Sequence, residues 1–452
     1  MLIVIDTLRA DHVTCYGYAR PTTPSICRLA SDGVTFERAY TPRTATTPAI
    51  ASVFTGWYPH RHGVRHLYQV LPAAMQTLAE RFHDAGYKTG GFVSSFVMVR
   101  DFSGFDQGFD VYDDFVTTRE ASRENFERSA RDTVDRALAW LRQTGPHAFL
   151  FVHLIEPHGP YTPPAPFAER FALPADGQLA TDVPDYQQLP DVRFVSEYVG
   201  RYDGEIASAD HEIGRLLETL RTLRWYDAAT IAVMADHGES MGEEGLWFQH
   251  GHSVHDAEAH VPLIIKFPTR PAPGPPPLAR AGAPVSLVDV FPTLLTAAGM
   301  RDPAASPSAV DLWPVAAGQP RVAPPPLTEL AAAGLVIAVH GGECAGRWTI
   351  ARKHLTPDWH LADGAAAPGW PAIAVAQPPV ADAAEAACRA KLAASVAPLA
   401  TDLLTFQSAV PVVDRRDIQR PGAKSQFLAR RAPATPLSEN EREALRRLGY
   451  AE

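Results

Sequence analysis

The stretch TIAVMADHG, at residues 230–238, decides the fold because it joins a buried strand to polar residues that follow it directly. Residues 230–235 form an apolar run, as expected of a parallel strand covered on both faces of a sheet. Asp236 and His237 come next. Burying such side chains is costly unless hydrogen bonds, ion pairs or a bound metal satisfy them. We therefore expect them to serve a site at the carboxyl edge of the sheet.

The same pattern recurs elsewhere along the chain. Residues 1–5, MLIVI, form an apolar run that ends at Asp6, and residues 149–154 form another that leads towards His158. In open α/β sheets, ligands bind at the carboxyl ends of the strands. Asp6, the 153–158 segment and the Asp236-His237 pair are therefore predicted to converge on one edge.

Helical patterns separate these apolar runs over residues 1–300. Helices are predicted at 24–32, 47–55, 71–85, 125–143 and 195–223, and further strands at 89–94 and 262–267. This alternation predicts an α/β fold with a large mixed, mostly parallel sheet that helices flank on both faces.

The composition changes after about residue 300, where proline-rich and alanine-rich segments become frequent. Two antiparallel strands at 335–339 and 348–351, a helix at 382–398 and a terminal helix at 438–450 are predicted there. We divide the chain into a large domain at 1–320, a small C-terminal α+β subdomain at 321–430 and a tail helix at 431–452.

Charge and composition exclude some classes of protein. The 452-residue chain has a net charge of −10 at pH 7, which argues against a nucleic-acid partner because phosphate binding usually needs a basic surface. No apolar run reaches about 18 residues, so no transmembrane segment is predicted. The four cysteines lack a metal-binding spacing, and one or two disulfides stay open. The oligomeric state stays open as well.

The location of the protein in the cell is an expectation with two branches. No charged segment precedes the first strand, so the literal expectation is a cytoplasmic protein. If the natural start lies upstream of Met1, an exported protein is expected instead.

Asp6, Thr46, Asp236 and His237 together supply the groups of a metal centre that includes a nucleophile. Carboxylates, a hydroxyl and an imidazole suit a divalent cation such as Mn²⁺, Zn²⁺, Ca²⁺ or Mg²⁺, with one ion favoured over two. Such an ion would lower the pKa of the Thr46 hydroxyl and orient its oxygen for attack on an ester. Taken singly, Asp6 and Thr46 would be ordinary turn and cap residues. Their combination with Asp236-His237 predicts the site.

Several stretches within residues 1–300 occur in the order found in one known enzyme family. They are IDTLRADHVTCYGY (5–18), TTPAIASVFTGWYPHRHGV (46–64), HLIEPHGPYTPP (153–164), YDGEIASAD (202–210), VMADHGESMGEEGLW (233–247), HVPLIIKFP (260–268) and LVDVFPTLLTAAG (287–299). In these stretches the chain resembles the sulfatase family of the alkaline phosphatase superfamily. The resemblance implies an ester hydrolase with an alkaline phosphatase-like fold and an anionic ester as substrate, from a small molecule, a glycan or a lipid headgroup.

The chain departs from the formylglycine sulfatases at the nucleophile. Those enzymes carry Cys or Ser in a C/S-x-P-S-R motif, whereas residues 46–50 here read TTPAI, and threonine cannot become formylglycine. Asp6 has no second acidic residue beside it, and Asp236-His237 replaces an Asp-Asn pair. These features resemble family relatives with a threonine nucleophile, such as phosphoglycerol transferases and nucleotide pyrophosphatases. The resemblance therefore implies that Thr46 attacks a phosphate or sulfate ester and forms a covalent intermediate.

Histidines near these motifs are candidates for contacts with the substrate. By resemblance, His158 in the PHGPY segment contacts the anion or the leaving group. His252, in QHGH, lies near the position where sulfatases place an anion-binding lysine. His153 and His250 are less favoured, since most loop histidines are satisfied by backbone groups.

Other polar residues are predicted to be structural. His60 and His62 are interpreted as turn residues. The charged positions Asp203, Glu205 and Asp210 are interpreted as a solvated face of the helix at 195–223.

Two alternatives to the threonine mechanism stay open. The first is a sulfatase that works without formylglycine, and the second is a catalytically decayed relative that binds a metal or a ligand. Assays with aryl phosphate, phosphodiester and sulfate esters test the first, while stoichiometric metal without turnover would indicate the second. The sequence also leaves hydrolysis and transfer undecided.

Overall fold

An eight-stranded sheet forms the centre of the structure. The computed structural model describes residues 1–116, 118–119, 126–268, 277–301, 306–331, 335–340, 345–352 and 359–360, together with Ala383 and Ala387. The strands of the sheet, in chain order, are β1 (Leu2–Ile5), β2 (Val34–Phe36), β3 (Lys88–Val93), β4 (Val111–Asp113), β5 (Ala148–Leu154), β6 (Ile231–Ala235), β7 (Leu263–Lys266) and β8 (Arg280–Ala281).

The strand directions confirm a mixed, mostly parallel sheet. Across the sheet the order is β8-β2-β7-β6-β1-β5-β3-β4. The strands from β6 to β4 in this order run parallel, with Val4 of β1 opposite both His153 and Met234. β7 is antiparallel to both of its neighbours. All four residues of β1 are buried, which explains why this strand is continuously apolar.

Helices cover the sheet. The longer ones are α1 (Pro24–Ser31), α2 (Thr46–Thr55), α3 (Leu78–Asp84), α4 (Ala130–Thr144), α5 (Val195–Thr222) and α6 (Val290–Ala297). One-turn helices span Pro59–His62, Arg100–Ser103, Phe167–Arg170, Asp256–Ala259 and Trp313–Ala316. α4 packs against α5, β3 and β5.

Two helices begin later than their patterns predicted, and capping explains both starts. α3 starts at Leu78 because Thr77 and Glu80 form a reciprocal capping box. α4 starts at Ala130 because the Ser129 side chain accepts the Asp132 amide. A local side-chain hydrogen bond therefore decides where each helix starts, whereas hydrophobic periodicity alone predicts a start that is too early.

The C-terminal part of the described chain forms a separate antiparallel sheet. Its strands are Leu327–Ala331, Leu335–His340, Ala345–Arg352 and Trp359–His360. The two predicted strands are confirmed as an antiparallel pair. The Thr328 hydroxyl donates to the Thr41 carbonyl at 2.6 Å, which ties this sheet to the large domain. Apart from Ala383 and Ala387, the helix predicted at 382–398 lies outside the described residues, as do the helix at 438–450 and the tail at 431–452. The boundary at 320 stays a prediction.

Short strands complete the described chain. They are Ala39–Tyr40, Thr118–Arg119, Phe126–Glu127, Ser240–Met241, Trp247–Gln249, His260–Val261 and Val285–Ser286. A disulfide joins Cys15 to Cys27, whose Cα atoms are 5.4 Å apart. No helix among the described residues is both long enough and apolar enough to cross a membrane.

The interpretation of α5 as a helix with a solvated charged face is wrong. Asp203, Glu205 and Asp210 are all at most 4% exposed. Asp210 accepts the backbone amides of Ser25 and Ile26 at 2.9 and 2.8 Å, at the start of α1. These carboxylates hold loops and helix ends onto α5 and are satisfied by those contacts.

Candidate active site

Two neighbouring parallel strands bring Asp6 and Asp236 to the same edge of the sheet. Asp6 follows β1 and Asp236 follows β6, and the last residues of the two strands, Ile5 and Ala235, are paired. Asp6 is 1% exposed and Asp236 is fully buried. The predicted convergence of the two carboxylates is therefore a direct consequence of the strand register.

Thr46 enters the same place from a helix end. It is the first residue of α2, and the preceding Ala45 provides no side-chain cap. The Thr46 hydroxyl lies 3.4 Å from Asp6 Oδ2 and 3.3 Å from His237 Nε2. These contacts point the hydroxyl away from a capping role. The free amide groups at the start of a helix also favour an anion there.

His237 presents its Nε2 atom to both carboxylates. Its Nδ1 bonds to the carbonyl of Gly238 at 2.9 Å, which makes Nδ1–H the donor and leaves a lone pair on Nε2. Nε2 lies 3.5 Å from Asp6 Oδ1 and 3.5 Å from Asp236 Oδ2. Burial lowers the pKa of His237, so the neutral form that can ligate a metal is favoured.

The donor set fits a divalent cation. Ligand atoms of Asp6, Asp236 and His237 all lie within 4.8 Å of one another. Asp236 Oδ1 accepts the His237 amide at 2.8 Å, but buried Oδ2 has no hydrogen-bond partner. An unsatisfied buried carboxylate oxygen is costly. The distances of 3.3–3.5 Å that join the Thr46 hydroxyl, His237 Nε2 and the two carboxylates exceed the roughly 2.8 Å of a good O–H···O bond. Such spacing suits ligands that surround a common ion better than hydrogen bonds to one another.

A cavity of about 70 Å³ opens beside this cluster. It is lined by Asp6, Thr46, Leu67, Tyr68, Ser95, Phe96, Val97, Phe126, Ile155, His158 and His250. The cavity therefore brings the predicted nucleophile, a predicted metal ligand and a predicted substrate contact together.

The candidate histidines fall into different places. His158 lines the cavity, and its Nδ1 bonds to the Gly159 carbonyl at 2.9 Å. His252 is exposed and is absent from the described cavity lining, and its amide lies 3.3 Å from Glu258 Oε2. The structure therefore brings His158 to the site and does not bring His252 there.

His250, the less favoured of the two histidines in QHGH, lines the cavity. Its Nδ1 lies 3.0 Å from Oε1 of the buried Glu239, and its ring centroid is 4.5 Å from that of His237. The pairing of Gln249 with Ser240 returns residue 250 to a position above residue 239. The spacing QHGH contained the signal, but only the register of this hairpin selects between its two histidines.

His153, which the sequence makes a less favoured candidate, lies beside the same cluster. It is fully buried, and its Nε2 lies 3.7 Å from Asp6 Oδ2. Burial lowers the pKa of His153 to about 4, and neither ring nitrogen has a hydrogen-bond partner. His153 therefore lies against Asp6 as a neutral imidazole.

His60 and His62, which are expected to be structural, have contacts of that kind, and Arg9 has others nearby. The His62 ring bonds to the Ser52 hydroxyl of α2 at 2.8 Å, and His60 pairs with Glu329 of the C-terminal sheet. Arg9 forms ion pairs with Asp11 at 2.7 Å and Glu243 at 2.8 Å. These contacts connect the segments around the site to α2, to the C-terminal sheet and to one another.

Comparisons with known proteins point to one family. A family model described as Sulfatase matches residues 1–300. The chain is 27% identical over 348 residues to an uncharacterized sulfatase, YidJ, of Escherichia coli strain K12, covering 67% of this chain and 68% of the relative. It is 24% identical over 390 residues to iduronate 2-sulfatase of Homo sapiens, covering 68% and 70%.

Solved structures share the fold. The phosphonate monoester hydrolase of Agrobacterium radiobacter superposes with a TM-score of 0.69 at 19% identity, covering 89% of this chain and 95% of that chain. A 2-O glycosaminoglycan sulfatase, BT1596, superposes with a TM-score of 0.64 at 18% identity, covering 97% of each chain. At these identities the similarity establishes the alkaline phosphatase-like architecture.

Proposed function

This chain belongs to the sulfatase family, a family of ester hydrolases, and on that premise we propose that Thr46 is the nucleophile of a metal-dependent reaction on sulfate or phosphate esters. The observation that carries the proposal is the position of the Thr46 hydroxyl. It faces Asp6 at 3.4 Å and His237 at 3.3 Å, inside a set of buried groups that fits a divalent cation.

Asp6, Asp236 and His237 are the residues that would hold the ion. A bound Mn²⁺, Zn²⁺, Ca²⁺ or Mg²⁺ would lower the pKa of a neighbouring hydroxyl and offset the negative charge of the ester. Asp236 Oδ2, which is buried and has no hydrogen-bond partner, gains a partner in that arrangement.

The protein's own groups then account for the covalent step. Thr46 Oγ1 forms a bond to the phosphorus or sulfur atom, the bond to the alcohol oxygen breaks, and the alcohol leaves. The start of α2 directs backbone amides towards the anion. His158 lines the same cavity, where it would assist the anion or the leaving group. Water then breaks the bond to Oγ1, whereas an alcohol in place of water would make the reaction a transfer.

The covalent intermediate provides the direct test. Protein mixed with a nitrophenyl ester is quenched in acid, digested and analysed by mass spectrometry. We expect the peptide containing Thr46 to carry one additional phosphoryl or sulfuryl group, and we expect no adduct in the Thr46→Ala variant. An adduct on another residue, or turnover that persists in Thr46→Ala, would remove Thr46 as the nucleophile.

The same material separates the remaining possibilities for this site. A panel of nitrophenyl sulfate, phosphate monoester and phosphodiester identifies the transferred group. The names of the curated relatives favour sulfate, while the threonine in place of a formylglycine precursor favours phosphate. A protein that binds one metal ion per chain but turns over no member of the panel would be a binding protein and would refute the enzymatic proposal.

A further inference from the structure

The cavity beside Thr46 has two unlike walls. One wall is polar and is made by Asp6, Thr46, Ser95, His158 and His250. We call the other the apolar wall; it is made by Leu67, Tyr68, Phe96, Val97, Phe126 and Ile155. Both walls line one cavity, so an ester that reaches Thr46 through this cavity has the apolar wall beside its organic part.

The apolar wall is a packed surface. Phe96 and Phe126 are each 2% exposed and belong to a small cluster of buried apolar side chains. Tyr68 packs on that cluster, with its ring centroid 5.9 Å from that of Phe102 and 6.4 Å from that of Phe96. Leu67, Tyr68 and Val97 are half-buried, so these three side chains remain accessible to a ligand in the cavity.

The loop that carries Tyr68 is held in a defined conformation. Tyr68 has a φ angle of 64°, in the left-handed region that an aromatic residue rarely adopts. The buried Gln69 side chain accepts the amides of Arg65 and His66 at 2.6 and 2.8 Å. Strained backbone of this kind persists where the surroundings fix it, and it concentrates at ligand sites.

Fixed positive charge is scarce among the described residues around Thr46. The carboxylates of Asp6 and Asp236 would together offset the charge of one bound divalent ion. Among the described residues, no lysine or arginine lines the cavity. A second negative charge on the ester would therefore find no lysine or arginine among the described lining residues to oppose it.

We propose that this cavity selects esters with a single negative charge and an apolar substituent, such as aryl or alkyl sulfates, phosphodiesters and phosphonate monoesters. Dianionic phosphate monoesters and polyanionic sulfated glycans are poor substrates because they offer charge where the wall offers hydrocarbon. This inference rests on the proposed function, since it takes Thr46 as the point at which the ester reacts.

The apolar part of the proposal is tested with two esters that share one leaving group. Nitrophenyl phenylphosphonate and nitrophenyl methylphosphonate carry the same single charge and differ only in the apolar substituent. Tyr68→Ala should lower kcat/KM for the phenyl ester about 10-fold and for the methyl ester less than about 3-fold, because only the phenyl ester loses an aromatic contact. Val97→Ala is the second variant, should Tyr68→Ala fail to fold. Equal losses on both esters would overturn the selectivity.

The charge part is tested by adding a cation to the wall. Val97→Lys should raise kcat/KM for dianionic nitrophenyl phosphate relative to nitrophenyl phenylphosphonate about 10-fold. The matched control is Val322→Lys at a position that is 84% exposed and outside the cavity lining, where the ratio should stay unchanged. Assays at about pH 8.5 keep an ordinary imidazole neutral. An unchanged ratio in Val97→Lys would overturn the charge argument.

Binding separates failure of this inference from failure of the proposed function. Calorimetry on Thr46→Ala with Mn²⁺ compares methyl phenylphosphonate with dimethyl phosphate, which carry the same single charge. Tighter binding of the phenyl compound, weakened by an added Tyr68→Ala, supports the selectivity even if no ester is turned over. Equal affinity for both compounds refutes it even in an active enzyme.

Discussion

Two sets of buried carboxylates in this protein differ in how they are satisfied. Asp203 on α5 is paired through both oxygens, with His12 at 2.8 Å, with the Tyr18 hydroxyl at 2.7 Å and with Arg20. Asp236 at the sheet edge keeps one oxygen without a hydrogen-bond partner. Burial alone therefore does not distinguish a structural acid from a ligand. The distinction lies in whether the surrounding chain supplies all the partners that the acid requires.

The largest expected effect is on activity at the sheet-edge site that contains Asp236 and Thr46. Thr46→Ala should lower kcat by about 10⁴-fold or more, because it removes the nucleophile from otherwise intact surroundings. Thr46→Ser is the matched control and should keep measurable turnover, since it retains a hydroxyl. Steady-state kinetics with the best ester of the panel measures both. A Thr46→Ala protein with unchanged Tm and nearly unchanged kcat would contradict the proposal.

Asp203 and Asp236 should differ in how much the free energy of unfolding changes when their charge is removed. Asp203→Asn should lower the free energy of unfolding by about 3 kcal/mol, because it leaves buried partners without their carboxylate. Asp236→Asn in metal-free protein should change it by less than about 1 kcal/mol, because the lost oxygen has no hydrogen-bond partner to abandon. Thermal or denaturant unfolding of both variants in a chelator measures the difference. Equal destabilisation would show that Asp236 is as structural as Asp203.

Adding a metal ion should stabilise the protein through the proposed ligands Asp6, Asp236 and His237. At a free ion concentration of about 100 times Kd, the free energy of unfolding should rise by about 2.7 kcal/mol. The rise in Tm should disappear in Asp236→Asn and persist in Asp203→Asn if that variant folds. A similar rise in Asp236→Asn would place the ion elsewhere on the chain.

The smallest expected effect is a pH dependence that involves two buried imidazoles. Burial lowers the pKa of His62 to about 3 and that of His153 to about 4, from 6.5 for the unperturbed side chain. In this range the unfolded chain binds more protons than the folded one, so stability is lost as pH falls below about 6.5.

The loss should amount to about 1–2 kcal/mol per histidine between pH 6.5 and pH 5 in metal-free protein. His62→Gln and His153→Gln should each reduce the slope of Tm against pH by a similar amount. An unchanged slope in both variants would mean that these rings already carry a proton in the folded state.

Much of the fold could be predicted because its signals are local. The apolar runs that became β1, β5 and β6 and the polar residues after them mark the strand ends. Parallel neighbours then place Asp6 and Asp236 together without further information. The start of α2 could likewise be predicted, because the helix predicted at 47–55 begins only one residue earlier, at Thr46.

Other features could not be predicted, since they depend on contacts between distant segments. The burial of Asp203 follows from the loop around residues 12–20, which covers α5 from nearly 190 residues away along the chain. The choice of His250 over His252 follows from a short hairpin, because the pairing of Gln249 with Ser240 places His250 beside Glu239 at the site.

The sequence by itself determined the family, the sheet and the chemical groups at its edge, because strand periodicity and strand ends are encoded by neighbouring residues. Only the tertiary structure decided which acids are satisfied, which histidine reaches the cavity and that an apolar wall faces Thr46. Those outcomes depend on which surfaces meet, and hydrogen-bond satisfaction and burial are properties of the assembled surfaces.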